Sequence, residues 1–182
     1  MPLSPFRQFV AAFLMLLMSG CALMGETSSE PDVCPLPTIL KTAQELVRFK
    51  PGGGQDLSQA LFHVKLNTFE GECDIGKKEI TLTVGLDFTA LRGAAMTKDK
   101  AEFAFLISVV DREKKILIRD RTPVITKFEG RDSRIDFVHY FDVIIPQRED
   151  YAPPDWRIFI GMELTKEELA YNRRRLGSKR RR

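Results

Sequence analysis

The chain has 182 residues, of which 43% are hydrophobic and 29% charged. That length fits one domain with appendages, and the apolar share is enough for a packed core and too high for wholesale disorder. No run approaches the roughly 18 consecutive apolar residues that a dedicated transmembrane helix needs, which argues against that class of anchor.

Arg7 is the single charge among the first 25 residues. Phe9 to Met18 then runs without a polar side chain into Met18-Ser19-Gly20-Cys21. The stretch sits at the chain start, lacks amphipathic spacing and precedes a polar segment, as a targeting segment does. The competing reading is a buried apolar helix with an incidental cysteine. Met18-Ser19-Gly20-Cys21 resembles the lipobox of bacterial lipoproteins, with methionine standing where leucine is commonest. The resemblance covers residues 1–21. It implies that residues 1–20 are a signal peptide and that the Cys21 thiol takes a diacylglycerol. Cleavage would follow just before Cys21, leaving a mature chain with two or three fatty chains of the palmitate type. Each buried methylene contributes about 0.8 kcal/mol, so two or three chains anchor permanently where one holds marginally. Ala22, rather than aspartate, follows Cys21. By the enterobacterial sorting rule this implies the outer membrane, periplasmic face, over the inner membrane.

The lipid signal places the two remaining cysteines, Cys34 and Cys73, in an oxidising compartment, where a disulfide is expected. A loop of about 40 residues corresponds to roughly 4 kcal/mol in the chain-entropy model. Two free buried thiols are the alternative. Metal binding has little support, because the two cysteines lack partners at ligand spacing.

Residues 21–33 read as a lipidated polar tether, residues 34–164 as the domain, and residues 165–182 as a short helix with a basic tail. Residues 38–49 fit either a short helix or a strand interrupted at Thr42-Ala43, and neither period wins. Pro51-Gly52-Gly53-Gly54 breaks the element. Strand patterns then dominate. Leu61–Phe69 puts Phe62, Val64 and Leu66 on one face. Glu79–Thr89 alternates without fault, the signature of a half-buried strand. Glu102–Val110 is apolar on both faces and reads as central. Lys115–Arg119 follows the turn Asp111–Lys114 as a hairpin, and Pro123–Phe128, Ile135–Ile145 and Trp156–Leu164 complete the set. About seven strands with short polar turns predict an all-β, mainly antiparallel sandwich, immunoglobulin-like as a class. Thr165 and Glu168 form a capping box that opens a helix ending before Gly177.

No pattern argues for an enzyme. His63 falls on a polar strand face, where it reads as a solvated surface residue. His139 shares an apolar face with Phe137, Phe141 and Val143, where it reads as a core or sheet-end histidine. Neither has ligand spacing, so no metal and no cofactor is expected. Gly-x-Ser-x-Gly and Ser-x-x-Lys do not occur, and Gly52–Gly54 lacks the Lys-Ser or Lys-Thr of a phosphate loop. The acid pairs Glu149-Asp150, Asp132/Asp136 and Glu167-Glu168 fall in turns or at a helix start, where they solubilise or cap.

Charge is more informative. The chain carries 28 basic and 25 acidic side chains. Seven basic ones lie in the last ten residues: Arg173, Arg174, Arg175, Lys179, Arg180, Arg181 and Arg182. With Arg7 also set aside, the body holds 20 basic against 25 acidic groups. An acidic body with a basic end reads either as a solubilising tail, separable from the fold, or as a contact for an anionic envelope surface. Lipid head groups, lipopolysaccharide, peptidoglycan or an acidic envelope protein would fit. Nucleic acid would fit in a cytoplasm, but the lipobox argues against it. The expectation is a non-enzymatic, membrane-anchored interaction or structural module of the envelope. The alternative is a ligand-binding or transport-accessory lipoprotein with a pocket between its sheets.

Overall fold

The computed structural model describes residues 34–147 and 156–179. The signal peptide, Cys21, the tether, and Arg180, Arg181 and Arg182 lie outside the described residues. Among the described residues eight strands form two sheets of four. They are β1 (Pro37–Ile39), β2 (Glu45–Phe49), β3 (Ala60–Ile75), β4 (Glu79–Arg92), β5 (Lys100–Val110), β6 (Ile116–Lys127), β7 (Arg134–Pro146) and β8 (Arg157–Met162), followed by the helix α1 (Lys166–Lys179). One sheet has the order β1-β8-β5-β6 and the other β2-β3-β4-β7. Every pairing is antiparallel except β1 with β8. This is the all-β sandwich that the alternation predicts.

The count is eight rather than about seven, for two reasons. Residues 38–49 take the interrupted-strand option: β1 leaves one sheet, a 3-10 turn over Lys41–Ala43 crosses over, and β2 joins the other. The crossing presses on β8, where a Cβ at Gly161 would stand 2.8 Å from Ala43 Cβ, so only glycine fits. In the other direction, Lys115–Arg119 and Pro123–Phe128 are one strand, β6. The Phe128 amide donates to Asp99 O at 2.9 Å, so even-numbered residues of β6 bond β5 and odd-numbered ones face outward. Pro123, being odd, lacks its N–H on the side where no ladder exists.

β3 also runs further than its first periodic stretch, to Ile75. A bulge between Leu66 and Thr68 shifts the phase by one residue. Phe62, Val64 and Leu66 face inward before it, and Phe69, Cys73 and Ile75 pack on the same core after it. The core centres on aromatic rings. Phe88 stacks on Phe137 at 5.4 Å and meets Phe103 and Phe105 at 5.6 and 5.8 Å. Phe105 touches Phe141 at 5.3 Å and the His139 ring at 5.6 Å, so His139 is an inward-facing histidine packed on aromatics. Cys34 and Cys73 form a disulfide with Cα atoms 6.3 Å apart. It staples the segment ahead of β1 in one sheet to β3 of the other.

Candidate functional site

Two features rise above ordinary packing. The first is a polar junction between α1 and β2. The capping box holds the start of α1: Glu168 Oε2 accepts from the Thr165 amide at 2.9 Å, and the Glu168 amide donates to Thr165 Oγ1 at 3.2 Å. Glu168, Asn172 and Arg175 recur at spacings of four and three, so they share one helix face. That face meets β2. Glu168 lies 3.1 Å from Arg48 Nε as an ion pair, without the alignment of a hydrogen bond. Asn172 is buried, and its Nδ2 donates to Thr42 O at 3.1 Å and Glu45 O at 2.6 Å. Arg175 donates to Glu45 Oε2 at 2.9 Å, and its guanidinium lies 5.6 Å over the Tyr171 ring. His63 Nε2 donates to the same Glu45 oxygen at 3.1 Å, since a carboxylate can only accept.

These contacts fix the chemistry of Glu45. The hydrogen bond from His63, with the bond and charge of Arg175, outweighs partial desolvation and lowers its pKa from 4.5 to about 2. Such a carboxylate is ionised near neutrality and is too weak a base for efficient proton transfer. It acts as a clamp. A cleft of about 320 Å³ beside it is lined by Lys41, Gln44, Glu45, Asn172, Arg175 and the helix end. Among the described residues no group of three or more His, Cys, Asp or Glu could hold a metal ion, and no helix is long and apolar enough to cross a membrane.

The clamp corrects two expectations. His63 is half-buried and partnered rather than solvated. Arg174 and Arg175 belong to α1, which continues past Gly177 to Lys179, and contact Gln55 and Glu45. They are therefore not separable from the fold; Arg173 lies on the same helix, and all three side chains are exposed.

The second feature is the set of sheet edges, where unpaired N–H and C=O groups invite another strand. Three of the four edges are blunted. β1 has three residues. β2 directs Glu45 O outward, because its even-numbered neighbour Gln44 bonds Leu66 through its own carbonyl, and the Asn172 side chain caps that oxygen. β6 directs Leu117, Arg119, Arg121, Pro123, Ile125 and Lys127 outward; Ile125 is exposed, but the charges are all basic and the proline stands inside the strand. The fourth edge, β7, differs in that its outward-directed charges are of both signs and its proline, Pro146, stands at the very end. Gln147 N donates to Lys78 O and Arg92 N to Ser133 O, so odd-numbered residues bond β4. The even-numbered residues Arg134, Asp136, Val138, Tyr140, Asp142 and Ile144 turn their backbone groups away from it. Among the described residues no strand pairs with them. Tyr140 is 62%, Ile144 53% and Val138 45% exposed. On the outer face Tyr140 lies across Gly85, where a Cβ would come within 2.6 Å of its ring, and donates to Glu70 Oε1 at 2.6 Å.

No family model, no curated protein and no solved structure matches this chain.

Proposed function

We propose that the chain is a lipid-anchored lipoprotein of the bacterial envelope, attached through Cys21, with its sandwich acting as a non-enzymatic interaction module. The periplasmic face of the outer membrane is the location that Ala22 favours under the sorting rule. The observation that carries the interaction reading is the β7 edge: thirteen residues long, exposed at Val138, Tyr140 and Ile144, with charges of both signs and no proline before Pro146. The Cys34–Cys73 bond supports an oxidising compartment. Glu45, the most perturbed carboxylate described, is spent on holding a helix rather than on moving protons. The ligand-carrier alternative needs space between the sheets, and Phe88, Phe103, Phe105, Phe137 and Phe141 occupy it. Arg173, with the basic residues that follow α1, supplies a further contact for an anionic surface such as lipopolysaccharide phosphates.

Labelling bacterial cells that express the full chain with an alkyne analogue of palmitate tests the anchor. The label should enter the wild-type chain and be absent from Cys21→Ser, which should accumulate as the uncleaved precursor. A serine variant that is cut normally and released soluble would overturn this reading.

A further inference from the structure

We propose that β7 is a self-pairing edge. Two copies of this chain join antiparallel along residues 134–142, with Val138 opposite Val138 of the second copy, and their two β2-β3-β4-β7 sheets become one. The inference rests on the interaction reading above and names the partner.

The backbone parity sets the first constraint. Only even-numbered residues of β7 direct N–H and C=O groups outward, so a two-fold ladder must join even-numbered residues to one another. Registers centred on Val138, His139 and Tyr140 satisfy this over most of the strand. The register centred on His139 sets Asp136 against Asp142, like charges directly opposite, which is destabilising. The register centred on Tyr140 sets Arg134 against Pro146, which has no N–H, and Val138 against Asp142. The register centred on Val138 sets Arg134 against Asp142 twice, Asp136 against Tyr140 twice, and valine against valine at the axis. Arg134 already holds Asp136 on its own strand at 2.7 Å, so its guanidinium would stand between that carboxylate and Asp142 of the second copy. The complementarity is contained within one strand, which is the requirement of an isologous interface.

The inner face fits the same register. Ile135, Phe137, His139 and Phe141 are half-buried although they point toward the core. Pairing about Val138 puts Ile135 beside Phe141 and Phe137 beside His139 of the second copy. Residues left partly wet at the sandwich margin are thereby covered. Anchoring in one membrane would concentrate copies in the plane where such pairing occurs.

Cysteine cross-linking of the full chain in bacterial membranes tests both the pairing and its register. In the proposed ladder the two Cα atoms at position 138 lie about 5.5 Å apart, within disulfide reach. Those at position 140 lie more than about 13 Å apart along the strands, out of reach. Val138→Cys should therefore give a covalent dimer under mild oxidation, and Tyr140→Cys should not. Adding Arg134→Asp or Asp142→Arg should lower the Val138→Cys dimer roughly tenfold, and combining the two reversals should restore it. Val138→Pro leaves the ladder to β4 intact, because the Val138 N–H faces away, and should sediment as a monomer after detergent extraction where the wild type is a dimer. A monomeric Val138→Cys chain, equal cross-linking at 138 and 140, or failure of the double reversal to restore the dimer would overturn the proposal. The palmitate label is read in the same cells. A labelled chain that stays monomeric rejects the pairing alone, and an unlabelled chain that cross-links rejects the anchor alone.

Discussion

Replacing Glu45 with glutamine removes one charge from the α1–β2 clamp and nearly preserves its shape. The wild-type carboxylate titrates at about 2 in the fold against 4.5 ordinarily. Taken without solvent, that difference would correspond to roughly 3 kcal/mol. The Glu45, His63 and Arg175 side chains are 30%, 27% and 46% exposed, so water screens the pairs and about 1 kcal/mol is the realistic share. For a domain of this size that lowers Tm by about 3–5 °C. The sign follows from linkage: the folded pKa is depressed, so the contribution is full above the unfolded value and is lost as pH falls from about 4.5 toward 2. Thermal melts of wild type and Glu45→Gln from pH 7 to pH 3 should differ by that amount at pH 6–7 and converge below pH 4.5. A gap that stays constant across the series, or no gap at pH 7, would refute the assignment of the clamp to the ionised carboxylate.

The disulfide closes a loop with a sequence separation of 39 residues, so replacing Cys34 and Cys73 with serine should cost about 2–4 kcal/mol, read as a lower urea midpoint. A double variant that unfolds at the wild-type midpoint would remove the bond from the stability account. Deleting residues 173–182 takes away the Arg175–Glu45 contact and the last turns of α1, and should lower stability by about 1–2 kcal/mol. Deleting residues 180–182 alone should leave the melting temperature unchanged. Equal melting of both truncations and the wild type would mean that Arg175 contributes nothing.

The parts of the fold that were legible in the sequence depend on short-range periodicity. β4 alternates Ile80, Leu82, Val84, Leu86 and Phe88 inward without a break, and β5, apolar on both faces, is the interior strand it reads as, between β6 and β8. Thr165 and Glu168 announce α1 through a three-residue spacing. What escaped depends on events that reset the period or on distant partners. The bulge after Leu66 flips the parity of β3, which hides Cys73 and Ile75 as inward residues. The 3-10 turn at Lys41–Ala43 mixes two periods in a stretch of twelve residues. Pro123 looks like a boundary until the strand is known to be an edge with its odd residues outward. The clamp joins residues 18 and 130 positions apart, and no local pattern marks Glu45 as the carboxylate they share.

An unguarded strand edge is a hazard for most proteins, since pairing can propagate from copy to copy into a fibre. Here propagation has a structural stop. Self-pairing about Val138 consumes the open edge of both copies at once. The opposite end of the same sheet is β2, whose outward carbonyl at Glu45 is taken by Asn172 and whose flank is held by Glu168 and Arg175. The other sheet ends in a three-residue strand on one side and in the proline and basic residues of β6 on the other. The clamp and the open edge thus have complementary consequences. The clamp closes the β2 edge and β7 remains available, so association along this sheet ends at two copies rather than extending. Short length, a helix clamp and like-signed basic residues at three edges, against self-complementary charges at the fourth, are the pattern expected when one edge is reserved for a partner.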